Sequence, residues 1–296
     1  MQVFTGLLRS MRPKQWTKNL LFVFPAIIFD GQLFDLQPFL RVFTAFVLLC
    51  MVSGAVYIIN DVVDIESDRQ HPRKKNRPLA SGQLPVRIAM FAAGLILLAS
   101  FTVSALFCLK LAAILVGYLV LQILYSFRLK HIVIVDVLVI TAGFILRVLA
   151  GVVVIDVQNY SPWLYACTGL LALFLVIGKR RQELVSQGNN AVNTRRNLKE
   201  YNLPLIDDML RTVTTSTLIT YILYTIEVRK EPNTNLALLT VPFVMYGLFR
   251  YLYLIHVQGE GSAPDEVLLR DRPLQVNLVL FGLAYIIILY IIPAYP

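Results

Sequence analysis

Apolar runs recur along this chain at close to the length of one bilayer crossing, and its charges fall between them. A membrane-spanning helix needs about 20 predominantly apolar residues. Nine segments approach that length: residues 19–36, 39–59, 88–108, 111–129, 132–155, 161–178, 211–228, 236–256 and 275–294. The first is the weakest, because Asp30 and Asp35 shorten its apolar run and Pro25 lies within it, so a re-entrant or tilted segment is the alternative. No segment alternates as a barrel strand does, and an open strand leaves its backbone unsatisfied in lipid, so the crossings are predicted to be helices. The expected fold is an all-α polytopic membrane protein with nine transmembrane helices, forming a single domain over residues 1–296.

Composition strengthens this reading. Hydrophobic residues make up 57% of the chain and charged residues 15%, with a mean hydropathy of +0.67, which excludes an ordinary soluble domain. If the N-terminus is cytoplasmic, all but five of the 27 Lys and Arg fall on that side; Arg41, Lys110, Arg229 and Lys230 lie opposite and Arg147 lies within a span. The positive-inside rule therefore sets a cytoplasmic N-terminus in a cell membrane. The net charge of +9 belongs to that face, and nucleic acid is not an expected partner. No cleavable signal peptide is visible. Cys50, Cys108 and Cys167 have no ligand spacing and read as small apolar residues, while His71, His131 and His256 are too scattered to suggest a metal site.

Three long connections, at about residues 60–87, 179–210 and 257–274, fall on the cytoplasmic side, where chemistry is expected. The first two follow the second and sixth spans, an offset that suggests an internal repeat. If the second helix continues as far as Gln70, Asn60, Asp64 and Asp68 form one stripe with Asp61 at its border. Carboxylates this close repel unless a cation joins them, and a carboxylate and amide set suits Mg2+. Arg73, Lys74, Lys75 and Arg77 follow directly and supply charge for phosphate, although a basic run also serves as a topology signal. The bland alternative for the whole segment is a solvated helix face.

Other charges require partners. Arg147, inside the fifth span, is expected to face protein, with a structural pair and a substrate contact equally open; Asp136, eleven residues earlier, is too distant to be that partner. Tyr125, Ser126, Arg128 and Lys130 mark one boundary, and the run Arg12-Pro13-Lys14-Gln15-Trp16-Thr17-Lys18-Asn19 another; both also fit plain interface anchoring. After Gly178, Lys179, Arg180 and Glu183 share a helix face that suits an anion better than a second metal.

Taken together, these residues resemble the UbiA superfamily of intramembrane prenyltransferases. The shared features are nine helices, Asn60-x-x-x-Asp64-x-x-x-Asp68 after the second, Tyr125-Ser126 with Lys130 before the fifth, and a functional loop after the sixth. In typical members that last loop carries a second aspartate-rich motif, and two magnesium ions hold a prenyl diphosphate. Here Lys179-Arg180-x-x-Glu183 stands in its place. With Arg12–Asn19, Gly178–Arg180, Arg250-Tyr-Leu-Tyr-Leu and Glu266–Pro273, the pattern is similar to the decaprenyl-phosphate phosphoribosyltransferase branch.

The resemblance implies Mg2+-dependent transfer of 5-phosphoribose from phosphoribosyl diphosphate to a polyprenyl phosphate, with release of pyrophosphate. In that branch the product feeds arabinose donors for the cell envelope. Asn60, Asp61, Asp64 and Asp68 are the expected catalytic residues, with Asn60, Asp64 and Asp68 on the metal. Lys14, Lys18, Arg77, Tyr125, Lys130, Arg147, Lys179, Arg180 and Glu183 are the expected substrate contacts. Prenyl transfer to an aromatic acceptor and carriage of an anionic lipid stand as alternatives, and assembly into a homo-oligomer is left open.

Overall fold

A computed structural model describes residues 2–70, 74–157, 161–187, 198, 200–227, 236–259, 267 and 270–292. Arg73, and Glu266, Leu268 and Leu269 of the later segment, lie outside the described residues. Among the described residues every regular element is helical, joined by turns and short irregular segments. Twelve α-helices follow in order: α1 Gln2–Ser10, α2 Trp16–Val23, α3 Pro25–Phe29, α4 Leu36–Val63, α5 Ile65–Gln70, α6 Val86–Phe107, α7 Leu109–Phe127, α8 Val135–Val152, α9 Pro162–Gln187, α10 Leu203–Glu227, α11 Val241–His256 and α12 Arg272–Ile286.

Seven helices among the described residues are long and apolar enough to cross a bilayer: Leu36–Val63, Val86–Phe107, Leu109–Phe127, Val135–Val152, Pro162–Val185, Leu236–His256 and Arg272–Ile291. The two remaining expected spans differ for separate physical reasons. Residues 19–36 do not form one helix: Pro25 has no N–H to continue the ladder, so α2 ends at Val23 and α3 stops within five residues. An eight-residue helix is about 12 Å long, far short of a hydrocarbon core of about 30 Å.

Helix α10 is long enough at 25 residues but is rich in hydroxyls. Thr212, Thr214, Thr215, Thr217 and Thr220 each donate to the carbonyl four residues earlier, over 2.7 to 3.0 Å. Polarity that hydropathy counts against the segment is thereby satisfied inside the helix itself.

The chain packs as two units, and the division between them passes through α8 between Ile145 and Leu146. The first comprises residues 1–28, 32–127 and 146–157. Its core joins α4 to α2, α7 and the end of α8 through Val23, Ile27, Leu49, Val52, Leu111, Leu115 and Ala150, all buried. A second cluster packs Met11, Leu79 and Leu84 against Ala55 and Ile58 of α4 and Ala89 and Ala93 of α6. Helix α4 is the axis of this unit. Its 28 residues make it about 42 Å long, roughly two turns more than the hydrocarbon requires, and those turns carry Asn60 and Asp61 to the membrane boundary.

The second unit comprises residues 29–31, 128–145 and 158–296. Helix α10 runs along α9, and Phe174, Ile177, Tyr201, Ile206, Leu210, Leu248, Tyr251 and Leu254 form its principal core. The ring of Tyr251 lies so close to α9 that a Cβ at Gly178 would meet its Cε1 at 2.8 Å, which explains the glycine that opens the basic segment.

Close backbone approach also makes Gly151 irreplaceable, since a Cβ there would sit 2.1 Å from the Val23 carbonyl oxygen. Gly151→Ala is expected to lower stability by at least ~1–3 kcal/mol, the usual penalty for overpacking. Gly94→Ala in α6, where nothing lies within 4 Å, is expected to be neutral or slightly stabilising. Thermal unfolding of both variants in the same detergent checks the contrast.

Candidate active site

In the first unit the acidic segment does not continue as one straight helix to Gln70. Helix α4 ends at Val63, Asp64 takes φ −93° and ψ 8°, and a new short helix begins at Ile65. The ladder bridges the break, with Asp64 N–H donating to Asn60 and Asp68 N–H donating to Asp64. Asp61 and Asp68, seven residues apart and so two turns along, come to one side. Both are buried, with 2% and 1% exposure.

A single nitrogen joins them. Arg77 Nη1 donates to Asp61 Oδ1 at 3.1 Å and to Asp68 Oδ2 at 2.6 Å. Lys74 Nζ lies 4.0 Å from the other Asp68 oxygen, and Arg12 also donates to Asp61 Oδ1. Two carboxylates therefore share one cation position with three basic side chains around it. Asn60 belongs to a different contact: its Oδ1 accepts from Ser126 Oγ at 2.7 Å. The stripe expected from spacing was Asn60, Asp64 and Asp68, whereas the pair that shares a cation is Asp61 with Asp68.

Arg12 has φ 53° and ψ 63°, left-handed values that cost a non-glycine residue about 1 kcal/mol or more. Its guanidinium stacks 4.9 Å from the centre of the Tyr57 ring. Lys14 and Lys18 were the substrate contacts expected of this segment, with Arg12 named only in its boundary run and in the family pattern. In the structure Lys14 is exposed in a 3-10 turn and Lys18 is half-buried on α2. Tyr125 is half-buried near the end of α7.

Arg147 is 6% exposed. Its Nε donates to Asn19 Oδ1 and its Nη2 to the Tyr118 hydroxyl, both at 2.8 Å. Asn19 in turn donates to Cys50 Sγ and Ser53 Oγ. Polar groups from α2 and α7 thus meet a guanidinium inside the span, with α4 groups behind Asn19.

In the second unit the basic segment after α9's apolar stretch is built differently from the acidic one. Arg180 is 2% exposed and donates from Nε to Asp136 Oδ2 at 2.9 Å, while its Nη1 donates to Glu183 Oε2. Asp136, fully buried, accepts at its other oxygen from the Tyr201 hydroxyl at 2.8 Å. The partner that distance denied to Arg147 is taken by Arg180. Lys130 lies in a 3-10 turn and Lys179 on α9, both half-buried. Burial is the leading influence on the Tyr201 phenol and pushes its pKa well above the ordinary value. Farther along, Arg250 holds Asp271 by two hydrogen bonds and keeps its carboxyl below the usual range.

The model of the UbiA prenyltransferase family matches residues 19–266. This chain belongs to the UbiA prenyltransferase family. UbiA membership makes it a multi-pass membrane enzyme of the transferase class. Curated relatives named decaprenyl-phosphate phosphoribosyltransferase are 31% identical in Corynebacterium glutamicum, over 98% of this chain and 88% of that protein, and 31% in Mycobacterium tuberculosis, over 92% and 90%. The UbiA fold is shown by a UbiA homolog from Archaeoglobus fulgidus solved with DMAPP and Mg2+, at a TM-score of 0.71 and 18% identity over 97% of this chain and all of that one.

The donor chemistry of the acidic segment fits a hard divalent cation. Among the described residues no three His, Cys, Asp or Glu side chains converge to hold a metal unaided. One or two carboxylates completed by an amide oxygen, water and substrate phosphate is the arrangement Mg2+ prefers. If the Asp61–Asp68 pair is a cation position, Arg77→Ala leaves Asp61 with Arg12 and Asp68 with the more distant Lys74, and lowers stability in metal-free buffer. Added Mg2+ is then expected to raise the melting temperature of the variant more than that of the wild type, by mass action. Equal shifts would assign Arg77 a packing role alone.

Proposed function

We propose that this UbiA-family protein transfers 5-phosphoribose from phosphoribosyl diphosphate to a polyprenyl phosphate, of which decaprenyl phosphate is the leading example, using Mg2+. The proposal extends to a plasma-membrane location with the reaction on the cytoplasmic face, where nearly all the basic side chains fall. The observation that carries the choice of substrate is the segment after α9's apolar stretch. From Gly178 to Lys199 Glu183 is the sole acid, against Lys179, Arg180, Arg181, Arg195, Arg196 and Lys199. A single carboxylate in that stretch does not make a second aspartate-rich motif. Fixed cations suit a reaction in which both substrates bring phosphate.

In this reading Asn60, Asp64 and Asp68, with Asp61 beside them, hold the metal. Magnesium bound there supplies charge neutralisation to the diphosphate leaving group. Arg77, already placed against two carboxylates, and Lys74 carry the positive charge that a phosphate takes up. Lys130 and Lys179 are the further phosphate contacts, and Arg180, whose guanidinium is occupied by Asp136 and Glu183, fixes the end of α9 beneath Lys179. The reaction breaks the bond from the anomeric carbon to diphosphate and forms one to an oxygen of the lipid phosphate. That phosphate is ionised at neutral pH and needs no strong base, so catalysis rests on positioning and electrostatic stabilisation.

Pyrophosphate release by purified protein is expected only when phosphoribosyl diphosphate, decaprenyl phosphate and Mg2+ are all present. Turnover of a prenyl diphosphate with an aromatic acceptor in its place would return the protein to ordinary prenyl transfer. Asp64→Asn is expected to lower kcat by about 100-fold or more with the fold intact, on the scale of losing one group that acts on transition-state charge. Lys179→Ala is expected to raise the apparent KM for a phosphorylated substrate about tenfold; an unchanged KM would remove Lys179 from the site.

A further inference from the structure

Ile134 has φ 67°. A β-branched residue is an outlier in the left-handed region, where Cβ crowds the following carbonyl. The residue stands between the 3-10 turn Leu129–His131, which carries Lys130, and the start of α8. It has a partner positioned to hold it there: the Ile134 N–H donates to the Tyr201 hydroxyl at 2.7 Å, and that hydroxyl donates to Asp136 Oδ1 at 2.8 Å. Asp136 accepts from Arg180 Nε at its other oxygen. A continuous chain of hydrogen bonds therefore runs from the backbone beside Lys130 to the α9 turn that bears Lys179 and Glu183.

Tyr201 is held in place as well. Its ring is 5% exposed and packs with Phe174, Ile177, Leu198 and Ile206, and the half-buried Val133 leans on the same cluster. Burial keeps the phenol protonated across neutral pH, so it accepts from one neighbour and donates to the other throughout. The sequence offered Lys130 and the Lys179–Glu183 segment as separate features; one hydroxyl connects them.

We propose that Tyr201 is a positioning residue, whose hydroxyl holds Ile134 in the left-handed conformation and thereby fixes the spacing of Lys130 from Lys179 for a phosphate-bearing substrate. Released from that bond, Ile134 returns to negative φ, opening the turn bond from Val135 N–H to the Val133 carbonyl and carrying the 129–133 segment with it. The substrate rests on the phosphoribosyl reading above; the mechanical role of the hydroxyl does not.

The test compares Tyr201→Phe with the double variant Tyr201→Phe/Ile134→Gly, because glycine adopts positive φ without penalty. Tyr201→Phe keeps the ring and is expected to raise KM for phosphoribosyl diphosphate about tenfold, with kcat within about twofold, the scale of one lost buried hydrogen bond. The double variant is expected to return KM to within about threefold of wild type. Hydrogen exchange of the peptide containing Ile134 provides a reading independent of turnover, and loss of protection in Tyr201→Phe is expected. An unchanged KM, unchanged exchange, or failure of glycine to restore KM overturns the proposal.

Should Tyr201→Phe alone fail to accumulate, the double variant must accumulate and bind substrate as wild type does, and a weakened KM in it is equally fatal. If the wild-type protein turns over a prenyl diphosphate instead, the phosphoribosyl reading falls, and the same comparison made with that substrate still decides the role of Tyr201.

Discussion

A guanidinium that leaves water must be met by polar atoms of the protein itself, and Arg147, Arg180 and Arg77 show three ways of meeting that demand. Each is met in a different way. Arg147 is held by the neutral oxygens of Asn19 and Tyr118, Arg180 by the carboxylates of Asp136 and Glu183, and Arg77 by Asp61 and Asp68. Within each unit these contacts join elements distant in sequence: α2 to α7 and α8 in the first, α8 to α9 in the second. Apolar packing in a bilayer discriminates weakly between helix neighbours, because lipid tails are as apolar as Leu. The polar pairs specify which helices meet.

The three settings also differ in what they leave available. Arg147 is bound by the amide oxygen of Asn19 and the phenol of Tyr118, whereas Arg180 is bound by two carboxylates. Arg77 is intermediate, partly exposed and bound through a single nitrogen to two carboxylates. A group of that kind can exchange one anion for another with little rearrangement, which is what a phosphate-handling segment requires. Both non-glycine residues with positive φ among the described residues, Arg12 and Ile134, sit beside such carboxylates, Arg12 on Asp61 directly and Ile134 on Asp136 through Tyr201. Backbone strain and buried charge coincide in both units.

Much of this was legible in the pattern of residues. Seven spans followed from run length alone, and the weakness of residues 19–36 was visible in Pro25, Asp30 and Asp35. The acidic segment was evident from spacing, and Lys179-Arg180-x-x-Glu183 in place of a second acidic motif from the family resemblance. Pairing was not. Nothing in one-dimensional spacing reveals that Asp136 answers Arg180 or that Asn19 answers Arg147, because these contacts span 44 and 128 residues. Asp61 and Asp68 stand at i and i+7, a helical spacing, but the break at Asp64 depends on a single residue's backbone angles and has no counterpart in that periodicity.

Helix α10 carries a consequence for how the chain enters its membrane. Each of five threonine hydroxyls is directed at the helix's own carbonyls, so the exposed Thr212 and Thr215 turn their methyl groups outward while Thr214 and Thr217 are buried in protein. That disguise exists only in the helical state: in an extended chain the same hydroxyls and carbonyls are all exposed and hydrated. The threonine-rich stretch is therefore more polar before it coils than afterwards, so coiling and partition are coupled. For α10, order of assembly is written into side-chain geometry, with the helix formed no later than the moment it leaves water.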